Sequence, residues 1–143
     1  MVRINLINPK FLADQHLIAE YNEILMLLGY VKKNPKLDLA QVPKRYKLGK
    51  GHILFFKNKL KYLKNRFDII KKEMKKRGFS GKIQINLNIF NKKLLNNWKS
   101  NSSDKAIIKK RLIKKINLKP KYYRYYGDKK SKEFFIKMIK NAK

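Results

Sequence analysis

The chain has 143 residues, enough for one domain with a single hydrophobic core. Apolar residues make up 43% and aromatic residues 12%, which is typical of a folded chain rather than a disordered one. The 38 lysines and arginines against 9 acidic residues give a net charge of +29. A field this positive indicates a polyanionic partner such as DNA, RNA or an anionic membrane. The absence of cysteine excludes disulfides, thiolate metal sites and cysteine nucleophiles.

No apolar run approaches the ~20 residues that a membrane span needs. The first residues also lack the apolar core and the small-residue cleavage site of a signal peptide. We therefore expect a protein of the cytosol, the nucleus or a virion, without a membrane partner.

The first predicted helix runs from about residue 13 to residue 28. Asn8-Pro9 has the form of a helix cap followed by a proline in the first turn, and Gly29 is expected to end the helix. Pro35 and Pro43 predict that residues 30–50 form a loop. The apolar residues of this helix recur at steps of three and four and share one face: Leu17, Ile18, Tyr21, Ile24, Leu25 and Leu28.

The second predicted helix extends without interruption from His52 to Arg77, with Gly78 as the residue that ends it. A coiled coil is the alternative, but lysines crowd the flanking positions, and two such helices would repel each other. The apolar residues alternate strictly between steps of three and four: Ile53, Phe56, Leu60, Leu63, Phe67, Ile70 and Met74.

The segment from 79 to 103 is ambiguous, because residues 83–89 alternate apolar and polar side chains with the period of a strand. No second strand is evident, so we expect an extended segment with one face on the helices. A third helix is predicted from a cap at Ser103 or Asp104 to about Leu118, ended by Pro120. Its inward residues are Ile108, Leu112 and Ile116.

Together these elements predict the all-α class, as a compact single domain of three main helices with long irregular connections. Beyond Gly127, apolar residues at helical spacing among lysines predict a short docking helix: Phe134, Phe135, Met138 and Ile139.

His16, Glu20 and Glu23 fall within roughly 60° of one another on the first helix, opposite its apolar stripe. Three interpretations are open: a solvated polar face, part of a metal site, and a general acid–base cluster. Acids oppose binding to a polyanion and are scarce here, which favours a specific role. A carboxylate beside a second carboxylate and facing an anion has a raised pKa, which suits it to proton transfer.

Gly49-Lys50-Gly51-His52 opens the second helix but lacks the spacing of a phosphate-binding loop. We expect a tight turn whose backbone N–H groups could receive one phosphate, with His52 in a structural role. Residues 119–127 interleave four tyrosines with three basic residues. These rings either stack on unstacked bases beside phosphate-binding cations or seal the core.

Several blocks of the sequence, taken in order, form a specific set: Arg3-Ile4-Asn5-Leu6, Leu12-Ala13-Asp14-Gln15-His16-Leu17, Ala19-Glu20-Tyr21, Glu23, Leu48-Gly49, Gly51-His52, Phe55-Phe56, Lys59-Leu60, Leu63, Arg66, Lys76-Arg77-Gly78-Phe79, Arg111-Leu112, Lys115-Ile116, Pro120, Tyr123 and Tyr125-Tyr126-Gly127. This set resembles the endonuclease V family of pyrimidine-dimer DNA glycosylases. The resemblance covers most of residues 2–127 and weakens over 83–103.

The resemblance implies a monomeric enzyme that needs no metal or other cofactor and acts on double-stranded DNA carrying pyrimidine dimers. The resemblance also implies that the N-terminal α-amine of the enzyme attacks C1′ of the damaged nucleotide and forms an imine, after which β-elimination cleaves the strand. The resemblance makes the amine of Val2 the nucleophile and Glu23 the essential carboxylate. The DNA-binding residues that it implies are Arg3, Gln15, His16, Asn22, Met26, Arg111, Lys115, Tyr122, Tyr123, Arg124 and Tyr125.

The sequence departs from the family at four of these positions. Val2 replaces a threonine, Asn22 and Met26 replace two arginines that face phosphates, and Tyr122 replaces a tryptophan. These changes leave the amine chemistry intact and bear on which lesion is preferred.

We expect residues 1–127 to form the glycosylase domain and residues 128–143 to be a basic extension. Two alternatives remain: a non-catalytic basic nucleic-acid-binding protein, and the same mechanism acting on oxidised purines or abasic sites. Glu23 argues against the first, because a protein that only binds DNA gains nothing from an acid facing it.

Overall fold

The computed structural model describes residues 3–143, and the predicted nucleophile Val2 lies outside them. The described chain is mostly helical, which agrees with the all-α prediction, and it contains five α-helices, the last of which lies where the short docking helix is predicted. They are α1 (Asp14–Lys33), α2 (His52–Phe56), α3 (Leu60–Lys76), α4 (Ser102–Leu118) and α5 (Lys132–Lys140). A two-stranded antiparallel hairpin of β1 (Arg124–Tyr125) and β2 (Asp128–Lys129) lies between α4 and α5. None of the described helices has the length and apolarity to cross a bilayer.

The core forms where α1 packs on α3 and where α4 packs on α5. Leu17 and Ile24 of α1 and Phe67 of α3 are completely buried, as are Leu112 of α4 and Phe135 of α5. Burial of each such side chain stabilises the fold by about 1.5–3 kcal/mol. The predicted inward residues of α3 and α4 are all buried, so their periodicity correctly gave the core faces.

The prediction that Gly29 ends the first helix is wrong, because α1 continues to Lys33. Leu27 and Leu28 before the glycine and Val31 after it are all buried, so the apolar face of the helix continues past Gly29. A glycine inside a helix costs about 1 kcal/mol, which this burial outweighs. At the other end, the side chain of Asn8 caps a separate 3-10 turn, Pro9–Phe11, that precedes α1.

The prediction of one continuous helix from His52 to Arg77 is also wrong, because residues 57–59 separate α2 from α3. The chain near residue 95 docks at this break. Lys59 pairs with Leu95 in an isolated antiparallel bridge, and Asn96 donates its side-chain N–H to the carbonyl of Asn58 at 3.0 Å. These long-range bonds satisfy backbone groups that a continuous helix would have used itself.

Residues 83–89 form no strand, and only part of the predicted face is covered. Ile85 and Leu87 pack on the core, whereas Ile83 and Ile89 are 50% and 58% exposed. A 3-10 turn at Leu87–Ile89, capped by the Asn86 side chain, interrupts the alternation. The local asparagine cap therefore overrides the period of two.

Helix α4 begins at Ser102 and is capped by Asn101, two residues before Ser103, the earlier of the two predicted caps. The Asn101 side chain accepts from the N–H of Asp104 at 2.8 Å, and the Asp104 carboxylate accepts from the N–H of Asn101 at 3.0 Å. Asp104 is thus the reciprocal member of a capping box rather than the cap itself.

The hairpin after α4 was not predicted. Its turn places Tyr126 and Gly127 at φ angles of 52° and 81°, the left-handed region that tight two-residue hairpin turns require. Both N–H groups donate to the Asp14 carboxylate, at 3.0 and 2.8 Å, and this ties the turn to the start of α1. Arg77 donates to the same carboxylate at 2.9 Å. The acid, which is distant in sequence, therefore supports an uncommon conformation at a tyrosine.

Candidate functional site

A cavity of about 200 Å³ opens between α1, α4 and the tyrosine-rich segment that follows α4. Six of the residues predicted to bind DNA line it, although they come from distant parts of the sequence. Its lining is Asn5, Gln15, His16, Ala19, Arg111, Lys115, Tyr122 and Tyr123.

Gln15 positions the tyrosine segment against α1. Its side-chain N–H donates to the carbonyl of Tyr122 at 3.1 Å, and its side-chain oxygen accepts from the N–H of Arg124 at 3.0 Å. Tyr123 is buried, with its ring centre 4.7 Å from that of His16. Tyr122 is 54% exposed and contacts Tyr123 edge to face. The two roles considered for the tyrosines, core packing and base stacking, therefore fall to different residues. Tyr123 packs in the core, whereas the ring of Tyr122 is exposed and accessible for stacking.

His16 is held as a neutral imidazole. Burial, together with the positive charges of Arg111 and Lys115, lowers its pKa from the ordinary 6.5 to about 4. Its Nδ1 is buried and has no hydrogen-bond partner within residues 3–143, and the same holds for Oδ1 of Asn5. Buried polar atoms are nearly always paired, so these two atoms give the cavity unused hydrogen-bonding capacity.

Glu23 is buried one turn along α1 from Ala19 of the cavity lining, and it interacts electrostatically with Arg111 of the same lining. Nη1 of Arg3 is 3.5 Å from Oε1 of Glu23, and both residues are less than 10% exposed. Burial raises the pKa of Glu23, while the positive charges of Arg3 and Arg111 oppose that rise. Burial also lowers the pKa of Arg111, which shares the electrostatic environment of Arg3 and Glu23. The carboxylate is thus desolvated and lies among cations, an environment typical of residues that transfer protons.

The grouping of His16, Glu20 and Glu23 on a polar helix face is wrong for Glu20. Its side chain is completely buried and receives two hydrogen bonds from Arg66 of α3, at 2.6 and 3.0 Å. Helix α1 is therefore covered on this side by an arginine that its own periodicity could not reveal. Within residues 3–143, no group of three or more His, Asp or Glu side chains is placed to hold a metal ion.

The remaining predicted residues lie outside the cavity. Asn22 and Met26 are exposed one turn apart on α1, with Met26 68% exposed. Arg124 is exposed and donates to the carbonyl of Gly127, and Tyr125 is partly buried with its hydroxyl donating to the carbonyl of Lys10. Arg124 and Tyr125 thus supply basic and aromatic groups outside the cavity, whereas Asn22 and Met26 supply exposed neutral side chains.

His52 has the structural role expected for it. Its Nε2 accepts from the N–H of Ile4 at 3.2 Å, and its Nδ1 lies 2.8 Å from the carbonyl of Lys47. The ring therefore carries its proton on Nδ1 and connects the N-terminal segment to the loop before α2. Gly51 caps α2 with a φ of 97°, which makes the expected tight turn.

Asn5 is the lining residue that sequence reasoning did not single out. It is 1% exposed and lies between Ile4 and Leu6, both of which are buried. A lone amide within an apolar run was the available signal, because such a residue is buried with its neighbours and needs a partner.

The fold and site define a strongly basic, mostly helical protein with a cation-lined cavity beside a buried carboxylate. The sequence model of the pyrimidine dimer DNA glycosylase family matches residues 1–87, which is more than half of the chain. The chain belongs to this family. The matched residues include Glu23 and all of α1 to α3, whereas α4, the hairpin and α5 lie outside them.

Proposed function

We propose that the protein is a DNA glycosylase and AP lyase that acts on cyclobutane pyrimidine dimers in duplex DNA, with Glu23 as its essential carboxylate. Family membership supports the glycosylase and its DNA substrate. The observation that carries the proposal is the environment of Glu23.

Other buried acidic side chains form short ion pairs or capping hydrogen bonds that hold parts of the fold together. Glu20 contacts Arg66 at 2.6 Å, Asp14 contacts Arg77 at 2.9 Å, and Asp104 completes a capping box. Glu23 differs, because its salt bridge to Arg3 has a separation of 3.5 Å and burial raises its pKa. An acid in a chain of charge +29 opposes DNA binding, so its position beside the cavity is best explained by chemistry.

The nucleophile in this proposal is the α-amine that Val2 acquires when Met1 is removed. An α-amine has a pKa of about 7.7–8.0 against about 10.4 for lysine, so a larger fraction of it is neutral at pH 7. The amine attacks C1′ of the damaged nucleotide, and the bond from C1′ to the base breaks, so that the base leaves with the electron pair and takes up a proton. The nitrogen of the adduct then loses a proton, and the C1′–O4′ bond breaks with protonation of O4′, which gives the imine. Abstraction of a 2′ proton then breaks the C3′–O bond by β-elimination.

Glu23 stabilises the positive charge that develops on the sugar and afterwards moves protons during elimination. Arg3, whose guanidinium contacts Glu23, directly follows Val2 in the chain, which supports a nucleophile at this end. The neutral His16 cannot act as a cation toward phosphate at pH 7, so its contribution is a hydrogen bond.

The DNA-binding surface of the proposal combines the cavity and its surroundings. Arg111 and Lys115 bind phosphates, and the exposed ring of Tyr122 stacks on an unstacked base. The enzyme extrudes a base opposite the lesion and acts as a monomer without a cofactor. Residues 1–127 form the glycosylase domain and residues 128–143 an extension of it.

The decisive test traps the imine. Dimer-containing duplex is incubated with the protein and borohydride, and the covalent adduct is mapped by peptide mass spectrometry. We expect the sugar on the N-terminal peptide, with Met1 absent and Val2 modified. Acetylation of the α-amine should abolish trapping and cleavage and leave DNA binding unchanged.

The other outcomes separate the alternatives. An adduct on a lysine contradicts the amine mechanism. Trapping on abasic DNA alone keeps the lyase and removes the dimer specificity, and trapping on oxidised purines reassigns the lesion. Binding without trapping on any of these substrates leaves a non-catalytic DNA-binding protein.

A further inference from the structure

A second groove is lined mostly by residues that follow the family match, with Lys10 and Phe11 from inside it. It has a volume of about 560 Å³ and is formed by the 3-10 turn Pro9–Phe11, the hairpin and α5. Its lining combines three aromatic rings and a methionine with two ammonium groups and an amide: Phe11, Tyr125, Phe134, Met138, Lys10, Lys137 and Asn141. No acidic residue contributes to this lining.

Helix α5 has two apolar faces. Phe135 and Ile139, four residues apart, are completely or almost completely buried and attach the helix to the core. Phe134 and Met138, also four residues apart, lie on the adjacent face and line the groove. Lys137 and Asn141 occupy the i+3 and i+7 positions of that same face. Although the Phe134 ring contacts Phe135 and Tyr125, its side chain remains 36% exposed and is accessible from the groove.

Lysine ammonium groups also lie close to the aromatic rings of the groove. The ammonium group of Lys10 lies 5.0 Å from the centre of the Phe11 ring, and that of Lys130 lies 5.5 Å from the Phe134 ring. Flat apolar surfaces with cations at their edge complement a nucleotide, which combines an aromatic base with an anionic phosphate.

The groove and the cavity are linked through the tyrosine segment, because Tyr122 lines the cavity and Tyr125, three positions later in the chain, lines the groove. Gln15 bonds to the backbone on both sides of Tyr123 and holds this connection in place.

From these observations we propose that the groove between α5, the hairpin and the Pro9–Phe11 turn binds an unstacked base of single-stranded DNA. The base lies against Phe134 and Met138, and its phosphates contact Lys10 and Lys137. This inference concerns binding alone and does not rest on the glycosylase chemistry.

The test compares two undamaged probes of equal length and charge: a short oligothymidylate and the same backbone without bases. Binding of each is measured by fluorescence anisotropy for the wild type, Phe134→Ala and Met138→Ala. Ile107→Ala serves as a matched control, because Ile107 is a similarly exposed apolar residue of α4. Circular dichroism verifies that each variant is folded.

We expect the wild type to bind the oligothymidylate more tightly than the baseless backbone. Phe134→Ala should lower oligothymidylate affinity at least about 5-fold, the effect of losing one base–aromatic contact, and leave affinity for the backbone unchanged. Equal affinity of the wild type for the two probes would overturn the proposal. So would a loss of oligothymidylate affinity in Ile107→Ala as large as that in Phe134→Ala. Either result would favour an apolar protein segment as the ligand of the groove. Imine trapping on dimer-containing duplex is independent of these outcomes, so the two proposals fail separately.

Discussion

Glu20 of α1 and Arg66 of α3 form a buried, bidentate ion pair. The guanidinium donates to both carboxylate oxygens, at 2.6 and 3.0 Å, and a third hydrogen bond from Arg66 reaches the carbonyl of Ile7 at 2.6 Å. One side chain thus connects α3, α1 and the N-terminal segment. Glu23 lies one turn further along α1, so this pair helps to set the orientation in which α1 presents the proposed catalytic carboxylate.

Replacing Arg66 by methionine should therefore destabilise the protein strongly. The variant leaves Glu20 charged and buried without its partner, a change that costs about 3–5 kcal/mol. Urea unfolding followed by circular dichroism measures the loss. Lys64→Ala is the control, because Lys64 and Asp68 form an exposed pair on the same helix that contributes less than about 1 kcal/mol. Similar losses in the two variants would contradict the structural role of Arg66.

Glu23→Gln should retain DNA binding and lose strand cleavage. The substitution preserves size and removes the charge that, in the proposed mechanism, stabilises the sugar cation and accepts a proton. We expect cleavage of dimer-containing duplex to fall by at least about 100-fold, while affinity for duplex DNA stays the same or rises. Asp68→Asn removes an exposed carboxylate from α3 and should cleave at the wild-type rate. Wild-type cleavage by Glu23→Gln would exclude this carboxylate from the mechanism.

Binding to undamaged duplex DNA should depend steeply on salt. If six phosphates are neutralised, the logarithm of the binding constant falls against the logarithm of salt concentration with a slope of about −5. Lys115→Ala should reduce the magnitude of that slope by about 1, because one phosphate contact is lost. Lys61→Ala is the matched control, because Lys61 is an exposed lysine of α3, which packs on the buried face of α1. A wild-type slope near zero would be incompatible with a nucleic-acid partner.

The sequence predicted those parts of the fold that depend on local periodicity. The inward faces of α3 and α4 and the site residues grouped around His16 follow from spacing or from the family resemblance, and the structure brings most of the latter together. Two of the errors arise where distant segments meet. Arg66 converts Glu20 from a surface acid into a buried one, and Leu95 docks at the break between α2 and α3. Such pairings have no signal in a window of neighbouring residues.

The two histidines should make the folded state sensitive to acid. Burial lowers the pKa of His52 from 6.5 to about 4, opposed by its hydrogen bond to the Lys47 carbonyl, and His16 is lowered to a similar value. Between pH 6.5 and about 4 the unfolded chain binds protons at these sites and the folded chain does not. Stability is therefore complete above pH 6.5 and declines as the pH falls toward 4.

For His52, the difference between 6.5 and about 4 corresponds to about 3 kcal/mol. Urea unfolding between pH 7 and pH 4 measures this decline in the wild type and in His52→Gln. The glutamine variant should be less stable at pH 7, because it loses the ring contacts with Tyr46 and Phe56. Its decline with acid should nevertheless be smaller than that of the wild type, because one proton-linked site has been removed. Parallel stability curves for the two proteins would show that His52 is not held neutral by the fold.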